Sequence, residues 1–368
     1  MKHITIVAGA RPNFVKVAPL IRVFDRTEEA QCTLVYAGRE DDPTLEPSLF
    51  DDLKMRRPDI FLGVDSTRLN EITSRVMAEF DAYLDEHKTD VVIVVDDLAS
   101  TMAAAIVTKK RGIRLAHLVA GTRSFDITMP KEINRLVIDA LSDYLFTAGI
   151  KSNSVATREQ GDKGQTYMVG NILMDTLRAN HDRLRKPAID GIEAGHYLLL
   201  TLNRRALLGD KENLREMLST LCSVAGEAHI PVIAPLREEA RKVAEECFGR
   251  SEATGVTGER PTLPFQILPP QSYLEFGWLT AHAKGIITDS GNVAEEATFN
   301  SVPCITLNSY TEHQETVTIG SNVLVGGSAE KLSEALHQLL NGEWKKCALP
   351  DRWDGRTAER IAQILLSE

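Results

Sequence analysis

The feature that most constrains the fold of this chain is a regular alternation of short apolar runs with amphipathic stretches. Many apolar runs are continuous in Val, Ile and Leu, as in strands buried on both faces of a parallel sheet. Strands are predicted at 3–7, 31–36, 91–95, 114–118, 144–147, 166–169, 197–202, 230–234, 264–268, 285–288 and 303–307. Helical periodicity occurs at 69–86, 100–111, 131–142, 211–227, 238–247, 271–283 and 329–340. This alternation predicts an α/β protein with doubly wound sheets.

The number of predicted strands indicates two domains. Eleven strands are many for one open sheet, and 368 residues fit about two domains at ~150 residues each. We expect a Rossmann-like domain at 1–180 and a second at 190–355, separated by the charged segment 183–196. A C-terminal helix at 356–368 is expected to pack back on the first domain. Ligands of such folds bind in a cleft, here expected between the domains.

Composition narrows the functional classes. The net charge of −10 and a pI near 5.5 argue against a general binder of nucleic acid or of anionic membranes. We find no N-terminal targeting pattern, and the apolar runs are too short to span a bilayer. The five cysteines are scattered without a CxxC pair, which is typical of reduced residues in a cytoplasmic protein. No cluster has metal-ligand spacing, so neither a metal nor a cofactor is expected.

The segment 288–297, Thr-Asp-Ser-Gly-Asn-Val-Ala-Glu-Glu-Ala, is a candidate phosphate site. A predicted strand precedes it and a predicted helix follows. Small residues such as Ser290 and Gly291 let backbone N–H groups approach an oxygen, and the helix dipole favours an anion. Glu296 is placed to accept a hydrogen bond from a ribose hydroxyl. An ordinary capped helix after a parallel strand fits the same residues.

A second candidate anion site follows the first predicted strand, at residues 9–20. Gly9 permits a tight turn, and Arg11 and Lys16 place two cations near a helix start. The segment is neither a Walker loop nor GxGxxG. Exposed basic residues without a ligand are the alternative.

These segments, with others in the same order, resemble the bacterial non-hydrolysing UDP-N-acetylglucosamine 2-epimerases. The matches, with family motifs in parentheses, are 9–19 (GTRPEAIKMAP), 97–101 (end of HGDTTST), 117–123 (HVEAGLR), 130–135 (PEEINR), 170–171 (GN), 201–205 (TxHRRE), 273–276 (YLPF), 288–297 (TDSGGIQEEA) and 311–315 (TERPE). They cover nearly the whole chain.

The resemblance implies two Rossmann-like domains of the GT-B type with a UDP-sugar in the cleft between them. It implies a cytoplasmic homodimer of cell-envelope polysaccharide biosynthesis that inverts sugar carbon 2 by eliminating UDP and adding it back. Asp97 and Glu132 match family carboxylates, and His117 is a third catalytic candidate, with a hydrogen-bonded packing histidine as the alternative. The implied binding residues are Arg11, Lys16, Arg135, Asn203, Arg204, Phe276, Ser290, Gly291, Glu296 and Glu315.

Two family catalytic positions are changed. Val119 replaces a glutamate and Asn203 replaces a histidine, and neither side chain can transfer a proton. The alternatives are therefore a relative that only releases UDP from a UDP-sugar, or a binding protein without turnover.

Other changes lie on the sugar side. Asp96 replaces the glycine of HGDT and is either a substitute acid or base, or points away from Asp97, as strand neighbours do. New cations at Arg39, Lys131 and Arg237 would suit an acidic sugar, with solvated surface charges as the alternative.

Overall fold

The computed structural model describes residues 1–161, 164–189, 191–248 and 264–367. The chain divides into two compact units, Met1–Asp182 with Asp351–Glu368, and Arg183–Pro350. The expected domain bounds at residues 190 and 368 lie outside the described residues. Each unit contains one parallel sheet with flanking helices, which confirms the predicted α/β class and the two Rossmann-like sheets.

The first unit has seven described strands in the order β3-β2-β1-β4-β5-β6-β7, all parallel. Its elements are β1 (Lys2–Ala8), α1 (Arg11–Phe24), β2 (Ala30–Tyr36), α2 (Pro47–Leu53), β3 (Ile60–Phe61), α3 (Leu69–Glu86), β4 (Val91–Val95), α4 (Ala99–Lys110), β5 (Arg114–Ala120), α5 (Pro130–Leu141), β6 (Tyr144–Thr147), α6 (Ile150–Gln160), β7 (Gln165–Met168) and α7 (Ile172–Asn180). The strand order reverses between β1 and β4, which makes their carboxyl ends the switch point of this sheet.

The core of the first unit explains this arrangement. Every residue of β4 is buried, as a central strand covered on both faces requires. The buried small residues Ala103, Ala104 and Ala105 line α4 where it joins the cluster of β4 and α3. Small side chains at these positions let α4 approach the sheet closely.

The second unit has six described strands in the order β10-β9-β8-β11-β12-β13, again all parallel. Its elements are β8 (Leu198–Thr201), α8 (Arg205–Gly209), α9 (Lys211–Glu227), β9 (Val232–Pro235), α10 (Glu238–Phe248), β10 (Gln266–Leu268), α11 (Tyr273–His282), β11 (Gly285–Thr288), α12 (Gly291–Phe299), β12 (Cys304–Thr306), α13 (Gln314–Thr318), β13 (Asn322–Leu324) and α14 (Ala329–Leu340). Its switch point lies between β8 and β11.

The last helix, α15 (Thr357–Ser367), belongs to the first unit and packs on α1 and α7. The Asp175 carboxylate on α7 accepts the N–H groups of Thr357 at 3.1 Å and Ala358 at 2.8 Å. Gly170 has φ +102, and a Cβ there would lie 2.1 Å from the Arg352 carbonyl oxygen. Only glycine therefore allows the returning chain to approach this closely.

Two strands, β3 and β13, were not predicted. They contain two and three residues, too few to show the period of a strand. Among the described residues, no helix has the length and apolar character needed to cross a membrane.

Candidate active site

The turn from β1 into α1 lies at the switch point of the first sheet. The Asn13 side-chain oxygen accepts the N–H groups of Gly9 at 2.9 Å and Ala10 at 3.3 Å. A Cβ on Gly9 would lie 2.0 Å from Ser100 Oγ, so a larger residue would push α4 away from this turn. Both amides therefore already donate to Asn13 and are not available to an anion. The main group of this turn that can bind an anion is its cationic side chain.

That cation is Arg11, the first residue of α1, which lines a cavity of about 400 Å³. Its Nη2 lies 3.7 Å from Glu46 Oε2, and its Nε has no hydrogen-bond partner among the described residues. Arg39 lines the same cavity but forms ion pairs with Asp41 and Asp65. Arg11 therefore keeps a donor for an anion, whereas the charge of Arg39 is balanced within the chain.

Lys16 is buried and pairs with Asp96, its Nζ 2.6 Å from Asp96 Oδ1. Asn13 Nδ2 donates to the other Asp96 oxygen at 2.8 Å. Asp96 follows the last residue of β4, Val95, and has a left-handed backbone with φ +59. The strand has ended at this point, so the Asp96 carboxylate reaches α1 at the carboxyl edge of the sheet, whereas Asp97 contacts α5.

Asp97, in the turn between β4 and α4, forms an ionic cluster with side chains of α5. Arg135 donates to Asp97 Oδ2 through Nε at 2.8 Å and Nη2 at 2.6 Å, and Lys131 Nζ lies 3.4 Å from Oδ1. Asn134 donates to the Asp97 carbonyl oxygen at 2.8 Å. Burial opposes ionisation of Asp97, but Lys131 and Arg135 outweigh it and lower its pKa. Asp97 is therefore a carboxylate that can accept a proton at neutral pH.

Glu132, in the first turn of α5, holds the loop between β5 and α5. Its carboxylate accepts Ser124 N–H at 2.8 Å, Ser124 Oγ at 3.0 Å and Phe125 N–H at 3.1 Å. Arg135 Nη1 donates to it at 3.1 Å. Burial opposes ionisation, yet the Ser124 and Phe125 donors and the Arg135 charge lower the pKa of Glu132. The side chain thus fixes the loop and the guanidinium that holds Asp97.

His117 is buried beneath the same edge, with both ring nitrogens engaged. Nδ1 lies 2.5 Å from Asp139 Oδ1, and Nε2 lies 3.0 Å from the Asp96 carbonyl oxygen. Asp139 also accepts Gly121 N–H at 3.0 Å and pairs with Arg123 at 2.7 Å. Despite burial, His117 and Arg123 lower the pKa of Asp139. This is the geometry of a hydrogen-bonded packing histidine that joins β5 to the turn after β4.

Val119 lies beside Asp96 at the ends of neighbouring strands. Its φ is +73, and the pairing of β5 with β6 shifts register between Leu118 and Ala120. Asp96 N–H donates to the Leu118 carbonyl at 3.3 Å. A β-branched residue rarely adopts a left-handed backbone, so this bulge carries strain at the candidate site.

In the second unit, Asp289 organises the switch point. Its buried carboxylate accepts the N–H groups of Asn203, at 2.8 Å to the nearer oxygen, and of Arg204 at 2.7 Å. Burial raises the pKa of Asp289, although these amides partly oppose the change. Ser290 N–H donates to Thr288 Oγ1 at 3.0 Å. Asn203, Arg204 and Ser290, predicted separately from the sequence, therefore lie around one carboxylate.

The helix α12 carries two buried acids. Burial, with a smaller contribution from Glu295, raises the pKa of Glu296 to about 8. Thr280 Oγ1 lies 3.5 Å from Glu296, and His313 Nδ1 lies 3.0 Å from Glu295. A Cβ on Gly291 would contact the His313 ring at 3.4 Å. Glu296 is therefore protonated at neutral pH and can donate a hydrogen bond as well as accept one.

The other predicted binding residues lie on separate elements of the second unit. The Arg204 guanidinium stacks on Tyr310, 5.5 Å from the ring centroid, and Nη1 donates to the tyrosine oxygen at 3.2 Å. Phe276 on α11 is half-buried against the apolar cluster that includes Leu279. Glu315 lies on α13.

Several residues of this edge were missed from the sequence. Asp139 and Tyr310 belong to no motif that the sequence singled out, and Asn13 and Asp289 lie in such motifs but were given no role. Asn13 and Asp139 each interrupt the buried face of a helix, where polar residues are uncommon unless they are hydrogen-bonded. That interruption is the signal that could have identified them.

Two parallel sheets, each with small residues and buried ionic groups at the reversal of its strand order, place the chain in the class of Rossmann-like α/β proteins, whose ligands bind at such reversals. In the described part of the chain, no group of three or more His, Cys, Asp or Glu side chains is placed to hold a metal ion.

The chain belongs to the UDP-N-acetylglucosamine 2-epimerase family, whose model matches residues 22–366. It is 31% identical to the UDP-N-acetylglucosamine 2-epimerase of Methanocaldococcus jannaschii over 98% of each chain. It is 30% identical to the UDP-2,3-diacetamido-2,3-dideoxy-D-glucuronate 2-epimerase of Pseudomonas aeruginosa over 92% of each chain.

Solved structures agree on the fold. The M. jannaschii UDP-GlcNAc 2-epimerase in complex with UDP-GlcNAc and UDP has a TM-score of 0.81 at 30% identity, with both chains fully covered. The Neisseria meningitidis UDP-GlcNAc 2-epimerase bound to UDP-GlcNAc has a TM-score of 0.87, also with full coverage; at 23% identity it supports the fold alone. The expected family and the Rossmann-like units of the GT-B type are thereby confirmed.

Proposed function

We propose that this protein is an epimerase that inverts carbon 2 of UDP-N-acetylglucosamine or a related UDP-sugar. The observation that carries the proposal is the ionic cluster at the first switch point, in a chain that belongs to a 2-epimerase family. Asp97 is held ionised there by Arg135 and Lys131. An ionised, largely buried carboxylate is the residue type that a C–H proton transfer requires.

The reaction we propose has two halves. In the first, the C2–H bond breaks, the proton passes to a carboxylate, and its electron pair forms a C1=C2 double bond as UDP leaves with the C1–O pair. In the second, UDP adds back to C1 and a proton returns to C2 on the opposite face. Asp97 is the proposed proton carrier, Glu132 holds Arg135 and the loop, and His117 positions the turn that carries Asp97. Arg11 offsets the charge of the departing diphosphate, with Lys16, which is paired with Asp96, nearby.

The second unit supplies the proposed UDP contacts. Ser290 and Gly291, at the start of α12, suit a phosphate because helix N-termini favour anions. The protonated Glu296 suits the ribose hydroxyls, and Phe276 the uracil ring. Asn203 and Arg204 are presented by Asp289 to the same ligand, with Glu315 as a further uridine contact.

The experiment is epimerisation in deuterated water. UDP-N-acetylglucosamine and related UDP-sugars are offered in turn, and the C2 epimer, C2 deuteration and free UDP are measured by NMR. We expect both epimer and deuterium, and an Asp97→Asn variant slower by about 100-fold or more. Free UDP that accumulates without epimer would establish the UDP-releasing alternative. UDP binding without deuteration or epimer from any substrate would leave a binding protein.

We also propose a cytoplasmic homodimer. The five cysteines are free, which agrees with a reducing compartment. The dimer follows from family resemblance, and light scattering of the purified protein tests it: a mass of one chain at micromolar concentration would contradict it.

A further inference from the structure

The further inference concerns Asp96 and deepens the proposed epimerisation, on which it rests. We propose that Asp96 is a second proton-transferring carboxylate, which serves the sugar face opposite to that served by Asp97. The two residues are adjacent after β4, yet their carboxylates diverge. Asp96 contacts Asn13 and Lys16 on α1, and Asp97 contacts Arg135 on α5.

Position supports this role. Asp96 lies at the switch point of the sheet, and Asn13 joins its carboxylate to the Gly9 amide of the β1–α1 turn. The Asp96 side chain is 17% exposed, so a substrate atom can reach it, whereas the nearby Glu132 side chain is 2% exposed and surrounded by donors. Lys16 carries the compensating charge on one oxygen.

The neighbour of Asp96 supports the role as well. The end of β4 pairs with the end of β5, Val95 opposite Leu118, so Asp96 and Val119 are the next residues on adjacent strands. Both have left-handed backbones, a strained conformation that clusters at functional sites. The motifs that this chain resembles have glycine at 96 and glutamate at 119. This chain thus lacks a carboxylate at position 119 but has one at position 96, at the end of the adjacent strand.

The chemistry requires such a pair. Inversion at C2 removes a proton from one face of the sugar and returns one to the other, so a single fixed carboxylate reaches only one of the two epimers. In our proposal Asp96 accepts the C2 proton of one epimer as the C1=C2 double bond forms and UDP departs. Asp97, which has taken up a proton from solvent, then donates it to the opposite face as UDP adds back, and Asp96 releases its own proton to solvent. In the reverse direction the two carboxylates exchange these tasks.

The first test uses Asp96→Asn, which keeps the side-chain shape. With each purified epimer of the accepted UDP-sugar in deuterated water, wild-type protein deuterates C2 and inverts both. We expect the variant to lose inversion in both directions by about 100-fold or more. It should still deuterate one epimer without inversion, through Asp97. Asp97→Asn should deuterate only the other epimer.

A merely structural role gives a different result: Asp96→Asn would slow deuteration of both epimers in equal proportion, and the proposal would be wrong. The control is Asp81→Asn on α3, an exposed aspartate that likewise pairs with a basic residue, here Arg111, and it should retain wild-type rates. Absence of deuteration by wild-type protein overturns the proposed epimerisation itself, so the two failures are separable.

A reciprocal exchange gives the second test. Glycine adopts φ +59 without strain, so Asp96→Gly keeps the backbone of the turn while it removes the carboxylate. Asp96→Gly alone should lose inversion as Asp96→Asn does, and Asp96→Gly with Val119→Glu should invert at least about tenfold faster than Asp96→Gly alone. Melting temperatures report folding of each variant. A folded double variant without recovery counts against the proposal.

Discussion

Lys131 is the most exposed charged group around Asp97. Its side chain is 65% exposed and its Nζ lies 3.4 Å from Asp97 Oδ1, whereas the Arg135 side chain is only 5% exposed. From sequence alone, Lys131 was either a site cation or a solvated charge. The structure shows it paired with Asp97, because the first turn of α5 faces the end of β4.

Replacement of Lys131 by glutamine should change the pH dependence of turnover. Lys131 helps to lower the pKa of Asp97, so its loss raises that pKa and moves the acid limb of the kcat/KM profile to higher pH. At pH 8 the rate should change by no more than about fivefold, since exposed ion pairs contribute about 0–1 kcal/mol. The control is Lys110→Gln at the far end of α4. Identical profiles for both variants would exclude Asp97 as the titrating base.

At the level of elements, most of what positions the site could be predicted from sequence. The helices at 69–86, 211–227 and 329–340 have the expected bounds, because their apolar period is strong. The left-handed backbones of Asp96 and Val119 could not be predicted, because β-branched residues rarely adopt this conformation and aspartate, though enriched in it, adopts others more often. They arise from strand ends that tertiary packing fixes.

Glu296 on α12 should make the stability of the second unit depend on pH. Glu296 has a pKa of about 8 in the folded chain against an ordinary value near 4.5, so the folded state keeps a proton that the unfolded chain releases. Its contribution to stability is complete below pH ~4.5 and is lost as the pH rises through about 8, at up to about 1.4 kcal/mol per pH unit. Glu296→Gln should remove this decline.

Calorimetric melting of wild type and Glu296→Gln between pH 5.5 and 8.5 measures the effect. Glu330→Gln, an exposed acid on α14, is the matched control and should follow the wild-type curve. Parallel curves for Glu296→Gln and wild type would show that Glu296 ionises normally in the folded chain.

At the level of the whole molecule, the chain leaves the first unit after Asp182 and re-enters it at Asp351. The re-entry depends on Gly170, where a Cβ would meet the Arg352 carbonyl oxygen at 2.1 Å. The sequence led to the expectation of a helix that packs back. The side chains that receive it, such as Asp175, could not be predicted because they lie far away in sequence.

The substitution Gly170→Ala should loosen this return. A left-handed alanine costs about 1–2 kcal/mol, and the clash with Arg352 adds to that cost. Gly112→Ala is the control. Gly112 has φ +71 with open space around it, so this variant has the cost of a left-handed alanine without a clash. We expect limited proteolysis to cut near residue 351 several-fold faster in Gly170→Ala than in Gly112→Ala. Equal rates would mean that the close approach does not hold the segment.

This return also fixes an order of events during synthesis. The second unit is synthesised before α15, so at ~5–20 residues per second the first unit waits roughly ten to forty seconds for its last helix. During that time the surface of α1 and α7 that later receives Ile361 and Leu365 has no cover from α15. The first unit is thus the later of the two to be completed.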